Sequence, residues 1–180
     1  MKKLANEELQ RKSVEEFKQS DKTPIVLVLD NIRSLNNVGS AFRTADSFLL
    51  ESICLCGVTG SPPNPEIHKT ALGATETVAW KKYATTLDCI TELKKQGYTI
   101  CSAEQADKAI KLNKFVIDET KKYALVFGNE VYGVEQAIID ASDYVIEIPQ
   151  YGSKHSLNVA VSIGIVCWEV VKQVKGSSKK

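Results

Sequence analysis

Two short runs constrain the fold of this chain more than any other feature. Ile25-Val26-Leu27-Val28-Leu29 and Ala124-Leu125-Val126-Phe127 are apolar without a break. A strand wetted on one face alternates apolar and polar residues, whereas a continuous apolar run of this length suits a strand covered on both faces, as in the parallel sheets of α/β proteins. Ser52 to Cys56, Val78 to Tyr83, Tyr98 to Cys101 and Tyr144 to Ile148 also read as strands, with helix-length segments between them. The pattern predicts an α/β fold with a mainly parallel six-stranded sheet covered by helices on both faces.

Residues 37–50 and 86–96 have helical periodicity, 66–72 gives one or two turns, and 105–118 fits no period. A helix from 156 to about 173 is the longest and most apolar, so it packs on several sides. A length of 180 residues suits one core. We expect a helical extension over 1–23, with Leu4, Leu9, Val14 and Phe17 as its sizeable apolar residues and Pro24 at its end, then a domain over 24–174 and a short basic tail over 175–180.

Composition excludes several classes. With 23 Lys and Arg against 22 Asp and Glu the net charge is +1, so nucleic acid can be held only by local patches; Arg33, Lys69, Lys81, Lys82, Lys121, Lys122 and Lys154 are candidates. Cys54, Cys56, Cys89, Cys101 and Cys167 form no CxxC pair and the two His are far apart, which predicts no disulfide framework, no metal site and a reducing cytoplasmic setting. Polar residues from Asn6 onward argue against a signal peptide. The apolar stretch Leu157 to Val171, broken by Asn158, Ser162 and Glu169, is short of the roughly 20 residues that span a membrane.

Three segments carry chemistry. The first, Leu35-Asn36-Asn37-Val38-Gly39-Ser40-Ala41-Phe42-Arg43-Thr44, follows the first strand; Asn36 or Asn37 can cap the next helix. Val38, Ala41, Phe42, Ala45 and Leu49 form its buried stripe, with Ser40, Arg43, Thr44 and Ser47 opposite. Arg43 reads either as a solvated surface charge or as a phosphate holder at the carboxyl edge of the sheet. In the second, Phe127-Gly128-Asn129-Glu130-Val131-Tyr132-Gly133-Val134, two glycines let the backbone turn sharply and approach a ligand; Glu130 is a helix-cap carboxylate or a functional one. In the third, Ile148-Pro149-Gln150-Tyr151-Gly152-Ser153-Lys154-His155-Ser156-Leu157-Asn158-Val159, Ser156 reads as the helix N-cap. Asn158 is an amide needing partners in an otherwise apolar helix.

In this order, each after an expected strand, the three segments resemble motifs 1, 2 and 3 of the SPOUT methyltransferases, specifically the SpoU/TrmH-type RNA ribose 2′-O-methyltransferases, over about residues 24–171. The resemblance implies a C-terminal deep trefoil knot, which ordinary topology rules would not suggest. It further implies a homodimer with each pocket near the subunit interface, and S-adenosyl-L-methionine bent between the second and third loops. Phe127, Gly128, Asn129, Glu130, Gly133, Ile148, Pro149, Gln150, Ser156, Leu157 and Asn158 would hold the cofactor. Asn37, Arg43, Glu130, Ser156 and Asn158 match the family's catalytic positions, with Arg43 nearest the reacting hydroxyl as base or phosphate anchor. Gln150 stands where the family often has Met, and His155 reads as a surface loop residue. The implied substrate is a ribose 2′-hydroxyl in structured RNA, tRNA first and rRNA second, since no run of exposed aromatics is evident for stacking on single strands. A non-catalytic RNA-binding protein of this fold and a base-methylating SPOUT enzyme are the alternatives.

Overall fold

The computed structural model describes residues 1–9 and 11–177. In chain order the regular elements are α1 (Val14–Gln19), β1 (Thr23–Asp30), α2 (Leu35–Ser47), β2 (Leu50–Cys56), α3 (Pro65–Ala71), α4 (Ala74–Thr77), β3 (Ala79–Tyr83), α5 (Thr86–Lys95), β4 (Tyr98–Ala103), β5 (Ile110–Lys111), β6 (Lys122–Phe127), α6 (Gln136–Ala141), β7 (Tyr144–Glu147) and α7 (Val159–Ser177). The strands form one sheet in the order β3-β2-β1-β6-β4-β7-β5, and every pairing is parallel.

The sheet therefore has seven strands where six were expected. The extra one, β5, is a two-residue edge strand inside the aperiodic 105–118 segment, which also holds a 3₁₀ turn at Leu112–Lys114. A strand this short shows no pattern in a sequence, and only its pairing of Ile110 with Ile146 defines it.

The continuous apolar runs are explained by layers on both sides. Ile25, Leu27 and Leu29 of β1, with Leu125 and Phe127 of β6, pack into one core cluster with Val38, Ala41 and Phe42 of α2 and Ile163, Val166 and Val170 of α7. Val26, Val28, Ala124 and Val126 face the other way, against Cys89, Ile90 and Leu93 of α5 and Ile138 of α6. All five cysteines are free and buried in these layers, and burial pushes the Cys101 thiol up to about 12.

The N-terminal extension departs from a single helix: a 3₁₀ turn at Asn6–Leu9 precedes α1, whose start is set by a capping box between Ser13 and Glu16. Phe17 is its buried anchor, while Leu4 and Leu9 are exposed, and the chain is already extended at Ser20, ahead of Pro24. Of the basic tail, residues 178–180 lie outside the described residues, whereas Lys175 belongs to the last turn of α7. Among the described residues no helix is long and apolar enough to cross a membrane.

The strand order locates the functional edge. From β1 the chain crosses through α2 to β2 on one side, and from neighbouring β6 it crosses through α6 to β7 on the other. Connections that diverge from adjacent parallel strands open a crevice at their carboxyl ends. The first two motif segments leave β1 and β6 at that crevice, and the third leaves β7 two strands from β6.

Candidate functional site

At the carboxyl edge of β4, β6 and β7 lies a cavity of about 500 Å³. Its walls are Ala103, Glu104 and Gln105 from the end of β4 onward; Phe127 to Gly133 from the end of β6; Ile146, Glu147, Ile148 and Gln150 from the end of β7; and Ser156 to Val159 with Ser162 around the start of α7. The size is in the range of pockets for small molecules and cofactors. The residues expected to hold a cofactor all line it except Pro149, whose neighbours Ile148 and Gln150 do.

The loop after β6 is shaped by its two glycines. Asn129 and Gly133 exchange backbone hydrogen bonds of 3.0 and 2.9 Å, so the chain doubles back on itself. Gly133 holds φ +68°, and a Cβ on Gly128 would run into the backbone of Gly133 and Val134. Asn129 ties this turn to the neighbouring strand end, its Nδ2 donating to the Asn31 carbonyl at 2.7 Å.

The turn aims Glu130 at the start of α2. Its carboxylate accepts from the Arg33 N–H, the Ser34 N–H and Asn37 Nδ2, each at 3.0 Å. Burial raises the Glu130 pKa, but the hydrogen bonds, those from the Arg33 and Ser34 N–H groups foremost, outweigh it and hold the carboxyl below its ordinary 4.5. The cap-like reading of Glu130 is therefore physically correct, but for a helix remote in sequence: it sits at the positive end of α2. Ser34, not Asn36 or Asn37, is the N-cap of α2, accepting from the Asn37 N–H at 3.3 Å. That leaves the Asn37 side chain free to bridge: its Nδ2 donates to Glu130 and its Oδ1 accepts from Asn158 Nδ2 at 3.3 Å.

Asn158 rather than Ser156 caps α7. Its Oδ1 accepts from the Ala160 N–H at 2.9 Å and its carbonyl from the Ser162 N–H at 3.0 Å, because the helix begins at Val159 and Ser156 lies too far ahead of it. Asn158 is exposed at the cavity rim, so its partners are polar groups there rather than a buried network. Glu130, Asn37 and Asn158 thus form a hydrogen-bonded row that joins all three segments, and Ser156 lines the cavity beside it.

Arg43 does not join them. It is exposed in the third turn of α2 rather than at its N-terminus, in a second depression with Ser40, Thr44, Ser47, Lys69, Thr70 and Gly164 of α7. The close approach of α2 and α3 that forms this depression depends on Gly39, where a Cβ would meet the Ile67 carbonyl and Thr70.

Several cavity residues were not anticipated. Glu104 and Gln105 follow β4 at the same carboxyl edge, and the signal was a polar pair directly after a buried strand. Tyr132 on the rim and Tyr151 in the third segment are 84% and 94% exposed, so aromatic surface is present after all, separated in sequence and therefore not visible as a run. The candidate basic residues divide. Lys81 pairs with Glu92, Lys121 with Asp118, Lys82 bonds the Thr59 carbonyl and Lys122 lies over the Tyr98 ring. Arg33, Lys69 and Lys154 have no ion pair among the described residues, and none of the described His, Cys, Asp and Glu residues cluster as a metal site would require.

Comparison with known proteins bears on this geometry. The profile of the SpoU rRNA Methylase family matches residues 24–168. An uncharacterized tRNA/rRNA methyltransferase of Borreliella burgdorferi is 33% identical over 161 residues, covering 89% of this chain and 69% of its own length. The 23S rRNA (guanosine-2′-O-)-methyltransferase RlmB of Vibrio parahaemolyticus is 30% identical, covering 92% of this chain and 66% of its own. Among solved structures, the A. aeolicus TrmH/SpoU tRNA modifying enzyme superposes with TM-score 0.81 at 25% identity, covering 92% and 82% of the two chains. The AdoMet-bound rRNA methyltransferase of Sinorhizobium meliloti gives 0.76 at 26% identity, covering 92% of this chain and 62% of that one.

Proposed function

The chain belongs to the SpoU rRNA Methylase family, and from that membership we propose that it transfers a methyl group from S-adenosyl-L-methionine to a ribose 2′-hydroxyl of a structured RNA. The observation that carries the reading is the Glu130–Asn37–Asn158 row on the rim of the cavity. Residue 37 lies in the first turn of α2, 130 in the loop after β6 and 158 just ahead of α7, so three separate segments bring their side chains together there.

The cavity suits the cofactor. Among the described residues its lining holds three carboxylates, Glu104, Glu130 and Glu147, and no Lys, Arg or His, which fits a molecule of net positive charge. The turn from Gly128 to Gly133, with Ile148, Gln150, Ser156 and Leu157, offers backbone groups to the cavity from two separate loops. Bound there, the sulfonium supplies an activated methyl group for in-line displacement. The protein's own share is positioning and handling of one proton. Asn37, held from both sides, and Asn158, fixed as a helix cap, would orient the ribose, and Ser156 would order the loop over the donor.

Arg43 enters this reading from a second copy. In one chain it faces a different depression from the Glu130 row. The proposed assembly is a homodimer in which the partner's Arg43 anchors a substrate phosphate at the cavity of the first subunit. Val161, Ile165 and Trp168 support this: they form an exposed apolar stripe along α7, the helix whose Gly164 lines the Arg43 depression. Anchoring is favoured over base catalysis because a free guanidinium stays protonated at neutral pH. The same family reading makes the segment from β7 through α7 a trefoil knot and residues 24–174 the catalytic unit.

Arg33, Lys69 and Lys154, unpaired among the described residues, support phosphate contacts with a folded RNA. We take tRNA as the first substrate and rRNA as the second. The test is transfer of tritiated methyl from the donor to unmodified tRNA and to rRNA fragments. Label that enters tRNA and resists alkaline cleavage at the modified site supports the reading; label in DNA copies of the same sequences overturns it.

A further inference from the structure

Glu104 stands apart in the cavity wall. It follows β4, lies half-buried beneath the left-handed Gly133, and is held rigidly: Oε2 accepts from the Val134 N–H at 2.9 Å and Oε1 from the Gln105 N–H at 2.8 Å. The other two carboxylates of the wall are answered locally. Glu130 has three donors at the head of α2, and Glu147 pairs with Lys111 at 2.8 Å. Among the described residues Glu104 has no cation, although its two backbone donors leave lone pairs on both oxygens unused. A carboxylate fixed in the cavity wall with acceptor sites to spare and no counter-charge attracts a cation that enters the cavity.

We propose that Glu104 is the residue by which the cavity distinguishes the charged methyl donor from its spent product, an inference that rests on the methyltransferase reading. The donor carries a sulfonium in addition to the amino-acid ammonium and carboxylate, and is a net cation. After transfer the sulfur is a neutral thioether and the product has no net charge. Glu104 therefore favours the donor through the one charge that the reaction removes, and methyl transfer itself weakens the hold on what remains. A unit charge a few ångströms from a cation in a partly open site corresponds to about tenfold in affinity.

Titration calorimetry of the full chain with S-adenosylmethionine, S-adenosylhomocysteine and sinefungin, whose protonated amine replaces the sulfonium, tests this. Wild type is expected to bind both charged ligands about tenfold more tightly than the thioether, and Glu104→Gln to bring the three affinities together while keeping thioether binding. Should Glu104→Gln not fold, the wild-type ranking and its loss of contrast in high salt carry the test. Equal loss of all three ligands in the variant, or wild type binding the thioether as tightly as sinefungin, overturns the role of Glu104 and leaves the methyltransferase reading standing. Wild type that binds none of them, with or without RNA, overturns both.

Discussion

Gly128→Ala is the sharpest local perturbation of the cavity. The added Cβ would overlap the carbonyl carbon and oxygen of Gly133 and the nitrogen of Val134, all backbone atoms that no rotamer change can move. To admit it, the turn over residues 129–133 must shift, and with it the 2.9 Å and 3.0 Å bonds between Asn129 and Gly133, the Glu104 bond to Val134 and the aim of Glu130. Overpacking of this kind costs about 1–3 kcal/mol, which for a chain of this length lowers Tm by roughly 2–12 °C. Donor affinity should fall about tenfold or more, since the displaced turn forms one wall of the cavity. Gly152→Ala is the control: a Cβ there meets nothing within 4 Å, so stability should stay within about 0.5 kcal/mol of wild type. Thermal melts and calorimetry on the two variants read both effects. A Gly128→Ala protein that melts and binds donor like Gly152→Ala would refute the argument that this backbone contact shapes the site.

Three further outcomes follow from the same geometry. Because hydrogen bonds depress the Glu130 pKa in the folded protein, its stabilisation is present above the ordinary 4.5 and fades as pH falls through the lower folded value; the Tm difference between wild type and Glu130→Gln should therefore shrink as pH falls below 4.5, and a gap that persists in acid would contradict the sign. Arg43→Ala should abolish methyl transfer while leaving donor binding within about twofold, since Arg43 lies outside the donor cavity; parallel losses of both would remove the distinction. Placing a charge in the α7 stripe, as in Val161→Asp with Trp168→Lys, should convert a dimer to monomers in sedimentation velocity, and a chain that is monomeric before mutation sinks the proposed assembly.

Much of this molecule was legible in its residues, for identifiable reasons. The uninterrupted runs at 25–29 and 124–127 announced strands buried on both faces, and both lie at the centre of the sheet. Turns and caps were less legible, because they depend on where a helix begins to within one residue. Ser34 rather than Asn36 or Asn37 caps α2, and Asn158 rather than Ser156 caps α7, and each reassignment changes which side chain remains for the site. The meeting of Asn37, Glu130 and Asn158 depends on strand order, which periodicity does not encode. Glu104 was overlooked because a single acidic residue after a strand resembles any solvated turn. Only the cavity behind it, and the absence of a cation beside it among the described residues, gives it meaning.

The destination of the methyl group decides which chemistry this protein performs. Unmodified tRNA incubated with the protein and S-adenosylmethionine, digested to nucleosides and separated by mass spectrometry, should yield a nucleoside whose extra 14 Da, the mass of CH₂, stays with the sugar when the glycosidic bond fragments. Extra mass on the free base would make this an enzyme of different chemistry on the same fold, and no extra mass on any tRNA or rRNA offered would contradict the proposed activity outright.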